Sequence, residues 1–285
     1  MTLLLLLILA HLIADFVLQT DAVVRYKCEE KLIGTSIHFV TILLCNFFVI
    51  IPYGWYTAIK FTLIISVMHI IFDVIKVSLK TDEWWNNTRL YKIFTYNWLS
   101  LIGLTFDQLF HLITIFIVWK SFAFNVSLEF MVFLGSLNNY LIPADLMTKL
   151  NTSLPIDRIL IMAIAYTGTT FGGAVYTRKF IDCLYPSNKF REKDNTNDNN
   201  NQEKFKSAKK IGKYIGLFER FFILTLILNG AITAVAFVMT AKSIARYKLL
   251  EEEEFAEYFL IGTMFSVSIA IIGGISTKYI LNTIL

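Results

Sequence analysis

The amino-acid sequence predicts an all-α protein, a polytopic membrane bundle with about seven transmembrane helices and one re-entrant or interfacial segment. Two observations lead to this prediction. The chain of 285 residues is 56% hydrophobic and 17% charged, with a mean hydropathy of +0.59, which is too apolar for an ordinary soluble domain. Several apolar runs also reach the roughly 20 residues that a helix needs to cross about 30 Å of hydrocarbon.

The predicted spans follow from these apolar runs. They are residues 1–19, 33–53, 56–79, 100–122, 158–178, 212–241 and 255–281. A further apolar segment, 126–143, is interrupted by Glu129, Asn138 and Asn139, and it could be an eighth span or a re-entrant or interfacial helix. The basic loops share one side only if this segment does not cross, which favours the re-entrant or interfacial helix.

Basic residues predict the orientation of the spans. Lys and Arg accumulate in residues 20–32, 76–99 and 178–213. Because loops rich in Lys and Arg stay on the cytoplasmic side, these three segments should share that side, with the N-terminus outside and the C-terminus inside. This topology accounts for the net charge of +4 without a nucleic-acid partner, and membrane lipid is the expected surrounding.

The sequence also predicts a division into modules. The stretch FREKDNTNDNNNQEKFKSAKK, at 190–210, is polar and rich in asparagine, which is typical of a disordered segment. It predicts a disordered cytoplasmic linker, 184–211, between a front membrane module, 1–183, and a two-helix membrane hairpin, 212–285. The three cysteines form no CxxC motif and no even set, so they predict neither a disulfide framework nor a thiolate metal site.

Histidine and aspartate recur at one spacing in the front spans. The motifs HLIAD, HIIFD and DQLFH each place a histidine and an aspartate four residues apart, on one helix face. The residues concerned are His11, Asp15, His69, Asp73, Asp107 and His111. The fourth histidine, His38, lies in the second span and has no carboxylate at this spacing.

Alternating spans bring all of these side chains to one depth, within roughly 15 Å of the predicted cytoplasmic face. Four helices then offer imidazoles and carboxylates at one level, as in bundles that build metal sites from facing helices. Such donors suit a divalent transition metal, zinc first, with manganese or iron as alternatives. The number of donors allows one or two ions. A metal-bound water that ionises near neutral pH would supply the nucleophile of a hydrolase.

Two other interpretations of the same side chains stay open. They could line a pathway for protons or divalent ions, or form a structural network of hydrogen bonds between helices. A pathway predicts further acidic or histidine residues in the outer halves of the front spans, and the sequence has few there.

The back module supplies two further candidates, Glu219 as a general base and Arg220 as an anion-binding group. Adjacent helical residues point in different directions, so the two do not simply pair with each other. For Arg220, an interhelical salt bridge is the structural alternative. Near the end of the same predicted span, Lys242 or Arg246 is expected to pair with Glu257 and so close the last hairpin.

The motifs HLIADFVLQ, HIIFDVIK and DQLFH, with the closing GLFER, AKSIAR and EYFLIGTMFS, resemble an uncharacterised family of bacterial inner-membrane proteins, a domain of unknown function. The resemblance covers nearly the whole chain. It implies a multi-pass protein of the bacterial cytoplasmic membrane and no established reaction. The His/Asp pairs are also similar in spacing to those of a family of membrane-bound, metal-dependent hydrolases.

Together these features predict a membrane-embedded, metal-dependent hydrolase. Its substrate would reach the site from the inner leaflet, which favours a lipid or a lipid-linked phosphate or ester. One alternative is a transporter or channel for protons or divalent metal. Another is a non-catalytic membrane component of a stress or defence system, whose linker recruits a cytoplasmic partner.

Overall fold

The computed structural model describes residues 1–29, 31–81, 96–122, 156–185, 199–251 and 253–283. All regular secondary structure within these ranges is helical, as the sequence predicts. Contacts divide the chain into two compact units. Unit 1 comprises Met1–Asp82 and Thr105–Ile164, and unit 2 comprises Glu83–Leu104 and Ala165–Leu285. The predicted re-entrant segment 126–143 lies outside the described residues.

Unit 1 is built mainly from helices of the first half of the chain. They are α1 (Thr2–Leu12), α2 (Asp21–Glu29), α3 (Lys31–Ile50), α4 (Trp55–Thr81), α5 (Tyr96–Ser121) and α6 (Ile156–Thr167), of which α5 and α6 continue into unit 2. A π-helical turn, Ile13–Leu18, follows α1, and a 3-10 turn, Ile51–Tyr53, joins α3 to α4. After this joint Gly54 has a φ of 101°, a conformation that residues with a side chain rarely adopt.

The chain bends sharply after α1. The axis changes direction by 85° between α1 with its π-helical turn and α2. α2 then packs directly against the start of α3 at Gly34, where a Cβ would lie 2.2 Å from the main-chain nitrogen of Lys27. On α2, Val24 and Tyr26 are exposed, whereas Lys27 is buried. The helix therefore presents apolar side chains outward and one lysine inward.

One end of unit 1 is filled by an apolar core. Its buried residues come from the starts of α1 and α4 and from the ends of α3 and α5: Leu3, Leu7, Ile50, Ala58, Phe61, Ile65, Ile115 and Val118. These four helices therefore alternate in direction, as the sequence predicts for successive spans. Their other ends carry the histidines.

Unit 2 contains the C-terminal helices. They are α7 (Gly173–Leu184), α8 (Asn199–Leu228), α9 (Ala234–Ala245) and α10 (Glu253–Thr283). A second π-helical turn, Gly168–Gly172, joins α6 to α7. Small residues let α7 and α10 approach closely and antiparallel, since a Cβ on Gly273 would lie 2.6 Å from Thr169 Oγ1 and one on Gly262 would lie 2.9 Å from Ile181.

Five segments of the described chain are long and apolar enough to cross a membrane. They are Leu32–Tyr53, Trp55–Ile75, Ser100–Ser121, Ile156–Leu184 and Phe255–Thr283. The N-terminal segment Thr2–Leu18 becomes a sixth if it forms one bent span with α2. Each of these segments coincides with a predicted span. The predicted span 212–241 has no counterpart among them. A helical membrane bundle is therefore plausible, and the predicted number of seven spans is not confirmed.

The predicted single span 212–241 is wrong. After α8 the chain turns back through residues 229–233 into α9, and Gly230 has a φ of 78°. Lys242 Nζ donates to Glu219 Oε2 at 2.6 Å. A continuous helix would hold these two residues roughly 34 Å apart, at about 1.5 Å per residue. The Asn-Gly dipeptide in the turn is a strong turn signal, and it interrupts a stretch that hydropathy alone assigns to one helix.

α8 and α10 run in the same direction. Arg220 Nη1 donates to Ser266 Oγ at 2.8 Å, and further along both helices a Cβ on Gly274 would lie 2.7 Å from Ile227. The end of α10 therefore lies level with the turn between α8 and α9, away from the level at which α8 begins. The sequence places the linker and the C-terminus on one side, whereas the start of α8 and the end of α10 lie at different levels of unit 2. Which side is cytoplasmic stays a prediction.

Because α8 and α10 run in parallel, cysteines placed near the start of α8 and near the end of α10 should be labelled from opposite sides of the membrane. We expect Lys213→Cys and Asn282→Cys, each in a chain whose own cysteines are serine, to react with a membrane-impermeant maleimide from opposite sides of the membrane. Labelling of intact cells and of inverted vesicles measures this. Reaction of both positions from one side would contradict the parallel packing and favour the two-span hairpin.

The structure also bears on the predicted linker, 184–211. α8 begins at Asn199, so the part of this segment from there onward is helical and not disordered, while 186–198 lie outside the described residues. The boundary between the two units falls within the predicted span 158–178 and not at the linker.

Candidate metal centre

Four buried imidazole rings meet in unit 1. They lie between the apolar core at one end of the unit and α2 at the other. His69 is at their centre, because its ring stacks on that of His111 with centroids 3.6 Å apart. The rings of His11 and His38 lie 5.4 and 5.3 Å from it. Each ring comes from a different helix, α1, α3, α4 or α5. The convergence that the sequence predicts for these histidines is confirmed.

The helices reach this arrangement by turning their polar side chains inward. On α4, His69 and Asp73 are buried, whereas the neighbouring Ile71 and Val74 are exposed. Polar residues inside and apolar residues outside are the distribution that a membrane favours. Asp15 is also buried and lies in the π-helical turn after α1, a kind of turn that is frequent at functional sites.

Three potential ligand atoms form a compact triangle. Asp15 Oδ1 lies 3.4 Å from His38 Nε2 and 3.2 Å from His69 Nε2, and the two histidine nitrogens are 3.3 Å apart. In a tetrahedral zinc site with bonds of about 2.0–2.1 Å, neighbouring ligand atoms are separated by roughly 3.3 Å. The triangle therefore has the dimensions of three corners of such a site.

Asp73 extends this triangle on one side, and His11 extends it on the other. Ligand atoms of His38, His69 and Asp73 all lie within 4.8 Å of one another, and so do those of His11, Asp15 and His69. The described residues thus offer two overlapping groups that could hold a metal ion, and His69 is common to both.

Lys27 is a member of the cluster that the sequence did not indicate. Its ammonium group is buried and donates to Asp73 Oδ2. When the amide of Gln19 is oriented to suit its neighbours, it accepts from Lys27 Nζ at 2.6 Å and donates to the carbonyl oxygen of Asp15 at 3.1 Å. The sequence places Lys27 in a basic cytoplasmic loop, and only the 85° bend before α2 brings it inward.

Gln108 connects two members of the cluster. Its Nε2 donates to Asp15 Oδ2 at 2.9 Å, and its Oε1 lies 3.1 Å from His11 Nε2. Because an amide oxygen only accepts, His11 must carry a proton on Nε2, which leaves Nδ1 as its available ligand atom. Gln108 belongs to the DQLFH motif, and its position three residues before His111 was the only sequence signal for this role.

Asp107 and His111 lie beside the two ligand groups. His111 Nε2 is 3.2 Å from Asp107 Oδ1, and the two side chains are buried together on α5. Among the described residues, neither belongs to a group of three close enough for one ion. Their predicted role as ligands stays a prediction, and the structure places them around the triangle and not in it.

The cluster contains several buried carboxylates. Those of Asp15, Asp73 and Asp107 are all buried, and the ammonium group of Lys27 donates to Asp73. A buried carboxylate is unfavourable unless hydrogen bonds or cations stabilise it. A divalent ion bound to Asp15 would be one such cation.

Glu219 and Arg220 belong to unit 2, where both are buried. Arg220 donates from Nε to the carbonyl oxygen of Thr170 at 3.1 Å and from Nη1 to Ser266 Oγ at 2.8 Å. Gly173 leaves room for its side chain, since a Cβ there would lie 3.1 Å from Arg220 Cδ. Arg220 therefore joins three helical segments through neutral acceptors and not through the salt bridge offered as its structural alternative.

Glu219 binds Lys242 across the α8–α9 hairpin. The sequence predicts that Lys242 or Arg246 pairs with Glu257, and for Lys242 this prediction is wrong. The chain reverses at the Asn-Gly turn, which brings Lys242 to Glu219. The catalytic roles of Glu219 and Arg220 stay predictions.

The fold and the cluster define a class: a helical protein with several helices long and apolar enough to cross a membrane, which carries buried groups of histidines and carboxylates that could hold a metal ion. Residues 3–137 match the model of a family described as "Protein of unknown function (DUF3307)". This match includes all seven predicted ligands, which supports the resemblance to an uncharacterised family. No curated protein and no solved structure matches the chain.

Proposed function

We propose that unit 1 binds one divalent transition-metal ion through Asp15, His38 and His69, and that the protein is a membrane-embedded, metal-dependent hydrolase. The observation that supports this most directly is the triangle of ligand atoms 3.2–3.4 Å apart. A single ion is favoured because the two ligand groups overlap at His69. Zinc suits the spacing and the donors best, with manganese or iron as alternatives.

The number of proposed metal ligands, three, supports hydrolysis as the reaction. Three protein ligands are typical of catalytic zinc sites, because the fourth position holds water. A metal held there would lower the pKa of such a water toward neutral pH and so supply the nucleophile for an ester or phosphate. Asp73 lies beside the triangle, with Oδ2 3.7 Å from His38 Nε2, and Lys27 donates to its carboxylate. We assign to Asp73 the acceptance of the proton from the water, a role for which the sequence also offers Glu219.

The surroundings of the cluster favour a lipid substrate. α2 lies beside it, and the exposed Val24 and Tyr26 on this helix suit the boundary between lipid and water. The apolar core, including Leu7 and Phe61, fills the other end of unit 1. A substrate would therefore arrive at the α2 end, as a lipid or a lipid-linked ester or phosphate. The same core opposes a continuous pathway for protons or metal ions, the principal alternative.

Replacing Asp73 by asparagine is expected to leave the metal bound and to lower hydrolysis by about 10²–10⁴-fold, the usual contribution of a general base. The measurement is the turnover of p-nitrophenyl esters and of bis(p-nitrophenyl) phosphate by the purified full chain, together with its metal content.

The matched control is Asp157→Asn, since Asp157 also lies in unit 1 but accepts a hydrogen bond from Thr2 Oγ1 at 2.7 Å, away from the cluster. Its rate should equal that of the wild type. Hydrolysis that persists after complete removal of metal by a chelator would refute the hydrolase proposal, and so would an unchanged rate in Asp73→Asn.

A further inference from the structure

A buried polar stripe runs along α4 beyond the metal cluster. Thr62, Ser66, His69 and Asp73 follow one another at intervals of four, three and four residues, so they share one helix face. All four are buried, and Thr62 and Ser66 are 1% and 0% exposed. The first two residues lie toward the apolar core and have no part in the ligand triangle.

The hydroxyl groups of Thr62 and Ser66 have no hydrogen-bond partner among the described residues. This is unusual, because a hydroxyl in a helix can donate to the carbonyl oxygen four residues earlier. Thr41 and Thr114 do so in the same unit, to Ile37 and Phe110 at 2.9 Å.

A small cavity lies at one point of this stripe, where His69 is the stripe residue that lines it. Its volume is about 10 Å³, and its lining is part polar and part apolar: His11, Asn46, Ile65, His69, His111, Thr114 and Ile115. Asn46 is 1% exposed, and its Nδ2 donates to the carbonyl oxygen of Ile42 at 3.0 Å. Its Oδ1 has no partner in the described part of the chain, and neither has Nδ1 of His111.

These features together point to water. A cavity of this size is close to the smallest that holds one water molecule, and a buried water needs two to four polar neighbours. Asn46 Oδ1 can accept a hydrogen bond from it, and His111 Nδ1 can donate to it or accept from it. Buried polar atoms in folded proteins nearly always have a partner, either protein or ordered water.

We propose that this cavity is a binding site for water, held by Asn46 and His111, and that Thr62 and Ser66 extend it as a short hydrated track along α4. The track ends at the apolar core, so it is closed at that end. A role for this water rests on the hydrolase proposed above: the site stores the water that each turnover consumes. In that reaction the water oxygen bonds to the acyl or phosphoryl group as the bond to the alcohol breaks. One proton of the water leaves with the alcohol.

The water site is tested by pulsed X-ray radiolysis of the full chain in detergent, followed by mass spectrometry. Water bound beside a buried side chain produces hydroxyl radicals there, so His111 should be oxidised although it is 2% exposed. Asn46→Leu fills the cavity with an apolar side chain, and we expect oxidation of His111 to fall at least fivefold. Thr41→Val, on the same helix, is the control and should not change it.

A second measurement covers the case in which Asn46→Leu fails to fold. Thr62→Val and Ser66→Ala remove hydroxyl groups with little change of shape. If these groups bind water, the two variants lower the unfolding temperature of the protein. If the groups are unpaired, the variants raise it, because an unsatisfied buried hydroxyl is itself destabilising.

The outcomes separate the two proposals. Radiolytic oxidation of His111 in a protein without bound metal supports the water site and refutes the metal centre. Bound metal and hydrolysis, with background oxidation of His111 and a raised unfolding temperature for Thr62→Val, overturn the water site and leave the hydrolase standing.

Discussion

His69→Ala is expected to abolish metal binding. His69 belongs to both ligand groups, and its Nε2 lies 3.2 Å from Asp15 Oδ1 and 3.3 Å from His38 Nε2. Alanine leaves only Asp15 and His38 of the three proposed ligands. Elemental analysis of the purified protein should give about one equivalent of Zn, Mn or Fe for the wild type, because the proposed triangle of ligand atoms holds one ion. The variant should contain almost none.

His111→Ala is the matched comparison for this result. His111 stacks on His69 but lies outside both ligand groups of the described residues, so its loss should weaken metal binding by about 10–100-fold, as is usual for groups that support a ligand. At saturating metal this variant should still bind one equivalent. Equal, negligible metal in wild type and His69→Ala would instead favour a structural network of hydrogen bonds.

Gly34→Ala is expected to destabilise unit 1 strongly, although it adds only one methyl group. That group would lie 2.2 Å from the main-chain nitrogen of Lys27, and main chain cannot yield as the tip of a side chain can. α2 must move away, which withdraws the ammonium group from Asp73. We expect a loss of about 1–3 kcal/mol or more in the free energy of unfolding, the usual range for overpacking, measured by thermal denaturation in detergent.

Gly103→Ala is the control for the helix effect of the substitution. Among the described residues, no atom beyond those of its own helix turn lies within 4 Å of a Cβ built on Gly103, so alanine there should be neutral or stabilise by up to about 1 kcal/mol through helix propensity. Lys27→Met should reproduce part of the Gly34→Ala effect, since it also removes the ammonium group that donates to Asp73. If Gly34→Ala and Gly103→Ala denature alike, α2 does not depend on this close contact.

The convergence of the histidines was predictable because two simple regularities determine it. A spacing of four residues sets the helix face of each pair, and alternating spans set its depth. Lys27 was not predictable in this way, because its place depends on an 85° bend and on a close approach to Gly34. Both are tertiary features, whereas the local sequence reads as a basic loop.

The α8–α9 hairpin shows a different limit. The residues from 212 to 241 are apolar enough for one span, and the average over a window conceals a single Asn-Gly turn. Glu219 reveals the true course, because the expected topology gave this carboxylate no basic partner and the hairpin brings Lys242 to it. In a membrane protein, a charged residue that lacks a partner in the expected topology is evidence against that topology.

The two π-helical turns show how a helix of this chain could change its winding within a membrane without losing backbone hydrogen bonds. Hydrocarbon offers no substitute for a lost backbone hydrogen bond, so a break made by proline would leave a carbonyl group without a donor. A wider winding keeps amide and carbonyl groups paired within the helix and still shifts the side chains that follow. Ile13–Leu18 and Gly168–Gly172 are windings of this kind, so each can redirect the side chains of its helix while the helical hydrogen bonds continue.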